Sequence, residues 1–236
     1  GATAFDITTV PNAPGYVRTV TDPVRTGGVM RNEVTDRDEW STELRLESDR
    51  AARFRYMVGA YYYESRRSLE ERHFAIAPTV FSGETRVDNV ALFGSIGFDF
   101  TDRWEATAEL RYAEDTVGNY NAIARPTGPL IENTFDSVSP RVTTTFKFTP
   151  ENMIYANVAK GNKPGVINPD PRFPPEVRFA DEEESWNYEV GTKNRLFDGR
   201  VMANLALYYI DWKDQQITTA FTFPTGGTQS YIRNAG

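Results

Sequence analysis

The sequence predicts an all-β fold, an antiparallel up-and-down transmembrane β-barrel segment of about eight or nine strands. Three observations carry this. Apolar and polar residues alternate over long stretches, the period of a strand. Each stretch runs roughly 9–13 residues, whereas ordinary globular strands have about 5–6 and a tilted strand needs about 9–11 to cross a membrane. Short turns alternate with long loops, as they do when tight turns lie at one rim of a barrel and long loops at the other.

Residues 1–39, rich in Thr, Pro and Gly, read mainly as a long extracellular loop with the tail of a preceding strand. Strand hairpins then fill 40–217. Strands are expected at 40–48, 54–63, 90–100, 104–112, 138–148, 153–160, 184–195 and 200–212. The clearest places Trp104, Ala106, Ala108, Leu110 and Tyr112 on one face and Glu105, Thr107, Glu109 and Arg111 on the other. Tight turns are expected at 49–53, 101–103, 149–152 and 198–200, which carry the Asp, Asn, Gly and Pro that turns require. Long loops are expected at 65–86, 115–136, 161–183 and 213–228, and residues 218–236 read as loop and the start of a next strand. The turns recur about every 50 residues, but two long strands per period fit a meander better than the four short strands of a propeller blade.

The two faces differ, and strand length decides what they meet. We expect Val58, Leu92, Ile96, Phe98, Leu110, Val142, Phe146, Val190, Leu205 and Leu207 to face lipid. We expect Glu43, Arg45, Arg55, Glu105, Glu109, Arg111, Arg141, Lys147, Glu189 and Lys193 to line a polar lumen. Glu105, Glu109, Arg111 and Arg141 are expected to form a charged ladder across neighbouring strands. Aromatics near strand ends (Trp40, Phe54, Phe100, Trp104, Phe148, Trp186, Tyr209 and Trp212) read as interfacial girdles. A soluble β-sheet domain, in which the apolar face is a core, is the alternative.

Composition excludes several chemistries. There is no Cys, so disulfides, thiol catalysis and Cys-based zinc sites are excluded. A net charge of −7 argues against nucleic acid held by phosphate contacts. The single histidine, His73, stands among charges and reads as a solvated loop residue. Glu105 and Glu109 share a strand face but lie about 13 Å apart, too far for an acid/base pair. The run Asp181-Glu182-Glu183-Glu184 reads as a solvated stretch leading into a strand. We expect no enzyme activity, no cofactor and no metal site. The proline-dense stretch from Lys160 to Pro175 reads as a stiff loop over the barrel mouth.

Five segments resemble one family in order: WSTELRLES at 40–48, YMVGAYYYE at 56–64, VDNVALFGSIGFDFTDRWEATAELRYAED at 87–115, SPRVTTTFKFTPENMIYANVAKGNKPGVIN at 139–168, and ESWNYEVGTKNRLFDGRVMANLALYYIDWKDQQI at 184–217. Together they resemble the barrel of the TonB-dependent outer-membrane receptors, of the type common in sphingomonads and related proteobacteria. The resemblance implies a barrel of about 22 strands in the outer membrane, closed by a plug domain that this chain does not carry. It also implies energy from the inner-membrane TonB complex, and uptake of a scarce small molecule such as a ferric siderophore. A passive porin-type channel predicts the same strands without a plug. We read both ends as cuts within a longer protein. The long loops would contact ligand, with Lys163, Arg172, Phe173, Arg125 and Phe221 as the candidate residues.

Overall fold

Alternation continues from strand to strand as a single antiparallel sheet. The computed structural model describes residues 4–10, 31–73, 79–120 and 130–235. Its strands are β1 (Ala4–Val10), β2 (Arg31–Glu47), β3 (Phe54–His73), β4 (Thr79–Thr101), β5 (Trp104–Tyr120), β6 (Ile131–Thr149), β7 (Asn152–Lys163), β8 (Val166–Ile167), β9 (Phe179–Ala180), β10 (Glu183–Leu196), β11 (Val201–Lys213), β12 (Gln215–Thr222) and β13 (Thr228–Ala235). Nine of them form one sheet in the order β1-β2-β3-β4-β5-β6-β7-β10-β11. Pairs β8–β9 and β12–β13 are separate. The large sheet is open, with β1 and β11 at its edges. Among the described residues no helix is long and apolar enough to cross a membrane.

Register sorts the residues onto two faces. From β2 to β10 odd residues pair with odd residues, as in Arg45↔Gly59, Gly59↔Phe93, Phe93↔Arg111 and Arg111↔Ser139. Parity switches at β11, where Glu189 pairs with Tyr208 and Val190 with Leu207. Every residue expected on the apolar face lies there, and each is at least partly open to the surroundings. Every residue expected on the charged face lies on the opposite side.

Turn chemistry closes the short rim. In the β10–β11 turn Phe197, Asp198 and Gly199 all take positive φ (56°, 55° and 81°), and Gly199 relieves the steric cost at its centre. Arg53 binds a neighbouring turn to its own, donating to the Asp99 carbonyl at 2.6 Å and the Phe100 carbonyl at 2.7 Å.

The apolar face carries aromatics in two bands. Phe54, Phe98, Phe100, Trp104, Phe146 and Phe148 lie near the short turns, with Phe100 stacked on Trp104 at 4.4 Å. Trp40, Tyr62, Tyr112, Tyr188 and Tyr209 lie toward the loops, with Trp40 on Tyr62 at 5.3 Å. From Phe54 to Tyr62 is about 27 Å along β3, or roughly 21 Å along the normal at a tilt near 40°, close to the apolar band of membrane barrels. Trp212 departs from the expected girdle. The parity switch at β11 turns it to the charged face, where its indole N–H donates to Glu183 Oε1 at 2.8 Å.

Several expected loops are strand. β3 has 20 residues and β4 has 23, so most of 65–86 continues the ladder, and His73 ends a strand. β5 and β6 likewise extend into 115–136. β2 begins at Arg31, not at 40, and Ala4–Val10 pairs with Ser41–Glu47. Beyond the two aromatic bands neither face needs to be apolar, so the ladder persists where the alternation fades. Residues 215–222, expected as loop, are strand β12, which pairs with β13 at 228–235.

Close strand packing depends on glycine at few positions. A Cβ on Gly191 would lie 2.6 Å from the Tyr155 ring, whereas one on Gly161 would meet nothing nearer than Ser185 Oγ at 3.5 Å. Gly191→Val is expected to cost about 1–3 kcal/mol through overpacking, and Gly161→Val to stay within about 0.5 kcal/mol of wild type. Denaturant unfolding of the refolded parent protein in detergent micelles measures both.

Candidate functional site

The charged face divides into a turn-side cluster and a loop-side lid. At the turn side Arg55 forks onto Asp99 with contacts of 2.7 and 2.6 Å, because β3 and β4 place the two on one face beside the turns. Arg55 also lies 3.8 Å from Glu105, which lies 3.7 Å from Lys147. Glu109 pairs with Arg141 at 3.5 Å across β5 and β6. The expected ladder is thus present in part. Arg111 instead donates to Asn89 at 3.1 Å and lies over the Tyr61 ring at 5.4 Å. Glu43 pairs with Arg45 along its own strand. Tyr155 donates to Glu189 at 2.5 Å, and Lys193 lies 5.6 Å over the Tyr155 ring. A cleft of about 520 Å³ opens between Arg53, Arg103, Glu105 and Lys147. These pairs are half-exposed, so each contributes tenths of a kcal/mol and the cluster mainly keeps this face wet.

At the loop side the chain folds back onto the sheet. Residues 164–182 cross the charged face with β8 and β9 paired and one 3-10 turn at Pro175–Val177. Gly165 packs tightly against the wall, since a Cβ there would lie 2.1 Å from the Phe135 ring. β12–β13 packs on the same segment. Phe173, only 3% exposed, meets Phe221, Phe223 and Tyr231 with ring centroids 5.6, 5.7 and 5.8 Å away.

Three of the candidate ligand residues come together in this lid. Arg172 forks onto Asp170, with contacts of 2.9 and 2.5 Å, and lies 4.7 Å over the Phe223 ring. Its side chain stays 54% exposed and offers free donors. Phe173 and Phe221 belong to the lid's aromatic core, so Phe173 holds the lid together more than it presents a surface. Lys163 stands at the base, half-exposed and 3.4 Å from Glu183. Arg125 lies outside the described residues.

The acidic run at 181–184 is not the solvated stretch expected. Glu183 is 7% exposed and accepts from Trp212 Nε1 at 2.8 Å, from the Gln216 backbone N–H at 2.9 Å and from Lys163. Glu184 pairs with Lys160 at 2.6 Å. Burial, with Asp115 nearby, pushes the Glu182 carboxyl above its ordinary pKa, and its Oε1 is buried with no hydrogen-bond partner. Period-2 reading misses Glu183, Asn168, Gln216 and Asn234, because polar residues in a polar loop leave no pattern. Among the described residues no group of three His, Cys, Asp or Glu could hold a metal.

The fork from Arg172 holds the Asp170 carboxyl below the usual carboxylate range. A depressed folded pKa stabilises the lid fully above the unfolded value of about 3.9, and that contribution is lost as pH falls through the folded value. Lid protection in hydrogen exchange is therefore expected to weaken between about pH 4 and lower pH. An Asp170→Asn lid should start weaker and lack this step.

The family model described as TonB dependent receptor-like, beta-barrel, matches residues 3–236. Among curated proteins the chain is similar to the pesticin receptor of Yersinia enterocolitica, 26% identical over 200 residues, 82% of this chain and 29% of that protein. It is also similar to the metal-pseudopaline receptor CntO of Pseudomonas aeruginosa, 28% identical over 139 residues, 57% of this chain and 18% of that protein. Among solved structures it resembles the ferric yersiniabactin uptake receptor FyuA of Yersinia pestis, with TM-score 0.68 and 23% identity over 81% of this chain and 31% of that one. The ferripyoverdine receptor of Pseudomonas aeruginosa matches with TM-score 0.65 and 14% identity over 98% of this chain and 34% of that one. At these identities the structural likeness is one of fold. The chain spans about a third or less of the length of these relatives.

Proposed function

The chain belongs to the TonB-dependent receptor β-barrel family, and from that premise we propose that it is part of an outer-membrane receptor for TonB-energised uptake of a small molecule such as a ferric siderophore. The observation that carries the reading is the lid. Folded loops lie across one end of a charged sheet face and leave cationic groups open there. In the parent protein the apolar face would meet outer-membrane lipid and the charged face a plug domain, and a ligand would reach Arg172 and Lys163 first. Those cations suit an anionic chelate, since a guanidinium and an ammonium donate only. The relatives the chain is similar to are named as receptors and an uptake receptor, which fits transport and not a reaction.

Uptake of radiolabelled iron from a panel of siderophores, in cells with and without the parent gene, tests this directly. TonB-dependent uptake that disappears with the gene supports it. Gene-dependent uptake that persists without TonB, with ion conductance of the purified protein in planar bilayers, sinks it in favour of a porin. Once a ligand is found, the Arg172→Ala and Lys163→Ala pair is expected to weaken binding by about tenfold or more, with the strand ladder intact and the lid weakened by loss of the Asp170 fork. Lipid contact has its own test. Val58→Arg, midway between Phe54 and Tyr62 on β3, should cost about 2–4 kcal/mol when the parent folds into lipid vesicles. A negligible cost would favour a soluble β domain.

A further inference from the structure

We infer that residues 164–182 and the hairpin β12–β13 form one cooperative lid, locked by side-chain carboxamides of Asn168, Asn234 and Gln216, that docks on the barrel wall and leaves it as a single body. The locks imitate a strand ladder between segments far apart in sequence. The Asn168 carboxamide donates to the Ile232 carbonyl at 2.8 Å and accepts from the Ile232 N–H at 2.8 Å, so it takes both main-chain groups of one hairpin residue. Asn234 does the reverse. It accepts from the Asp181 N–H at 2.7 Å and donates to the Asp181 carbonyl at 3.0 Å. Asn168 is 4% exposed and also donates to the Val177 carbonyl at 2.7 Å, which ties the loop to itself.

The apolar core is shared in the same way. Phe173 comes from the loop, and Phe221, Phe223 and Tyr231 come from the hairpin. Neither segment buries these rings alone, so loss of one exposes the other. The lid also seats on the wall. Gly165 fits against Phe135, and the base is pinned where Glu183 receives Trp212 and Gln216. The hairpin leaves β11 through Asp214, whose φ of 53° is a left-handed turn and a natural pivot. The two asparagine locks and the shared rings join loop to hairpin, so the two leave together when the seat on the wall releases. This rests on side-chain geometry and not on the transport reading.

The test is hydrogen exchange of the full-length parent protein in detergent micelles, with no ligand added. Asn168→Ala should raise exchange roughly tenfold or more in both 164–182 and 215–235, while β10 and β11 keep wild-type protection and so report an intact fold. Asn234→Ala serves as the second lock and should give the same paired response. Gly165→Val should instead expose the amides around Phe135 while the two lid segments keep their mutual protection. Independent exchange of the two segments in either Asn variant would overturn the proposal. So would a Gly165→Val protein whose lid segments lose protection from each other.

Discussion

Every backbone N–H and C=O in a strand that crosses hydrocarbon must find its partner on the next strand, because nothing else in that layer accepts a hydrogen bond. The nine-stranded sheet is built on this constraint. It fixes register residue by residue, and register fixes parity, since one step along a strand moves a side chain to the other face. Parity places Leu92, Leu110 and Val142 together on one side and Glu109, Arg111 and Arg141 on the other. The aromatic bands, the charged cluster and the seat of the lid all inherit their positions from it.

The same constraint explains what was legible in the sequence. Between the aromatic bands the two faces meet different surroundings, so alternation is strict and strands such as Trp104–Tyr112 can be read directly. Above Tyr62 and Tyr112 both faces are polar. There β3 and β4 continue pairing, as Arg66↔Arg86 and Ser68↔Glu84, without a pattern to betray them. A ladder costs no more in water than it does in lipid, so strands need not end where alternation does. Trp212 was misplaced for a related reason: a list of aromatics near strand ends carries no face, and only pairing with Ser185 supplies it.

The lid was legible as a stiff, proline-rich crossing and no further. Its folding rests on long-range polar bonds from Asn168, Gln216, Asn234 and Glu183, and one-dimensional periodicity does not register contacts of that range. A buried carboxamide is costly unless its donors and acceptors are met. Asn168 and Asn234 meet theirs by presenting a peptide-like group to another segment's peptide group. Phe173 and Phe221 looked like ligand contacts because aromatic loop residues often are. They pack on one another in the lid's aromatic core, and that packing keeps Arg172 presented beside them.

The polar overhang of β3 and β4 beyond the aromatic band bears on how such a surface changes over generations. A pair of residues added to each strand of that hairpin, above Tyr62 and Val90, lengthens the projection and preserves every facing below it. A single residue added to one strand between Phe54 and Tyr62 would turn part of that strand inside out. The register therefore tolerates a change of length in the outer half of the long hairpins and resists it between the aromatic bands. The projecting half of those hairpins is then the portion freest to be rebuilt.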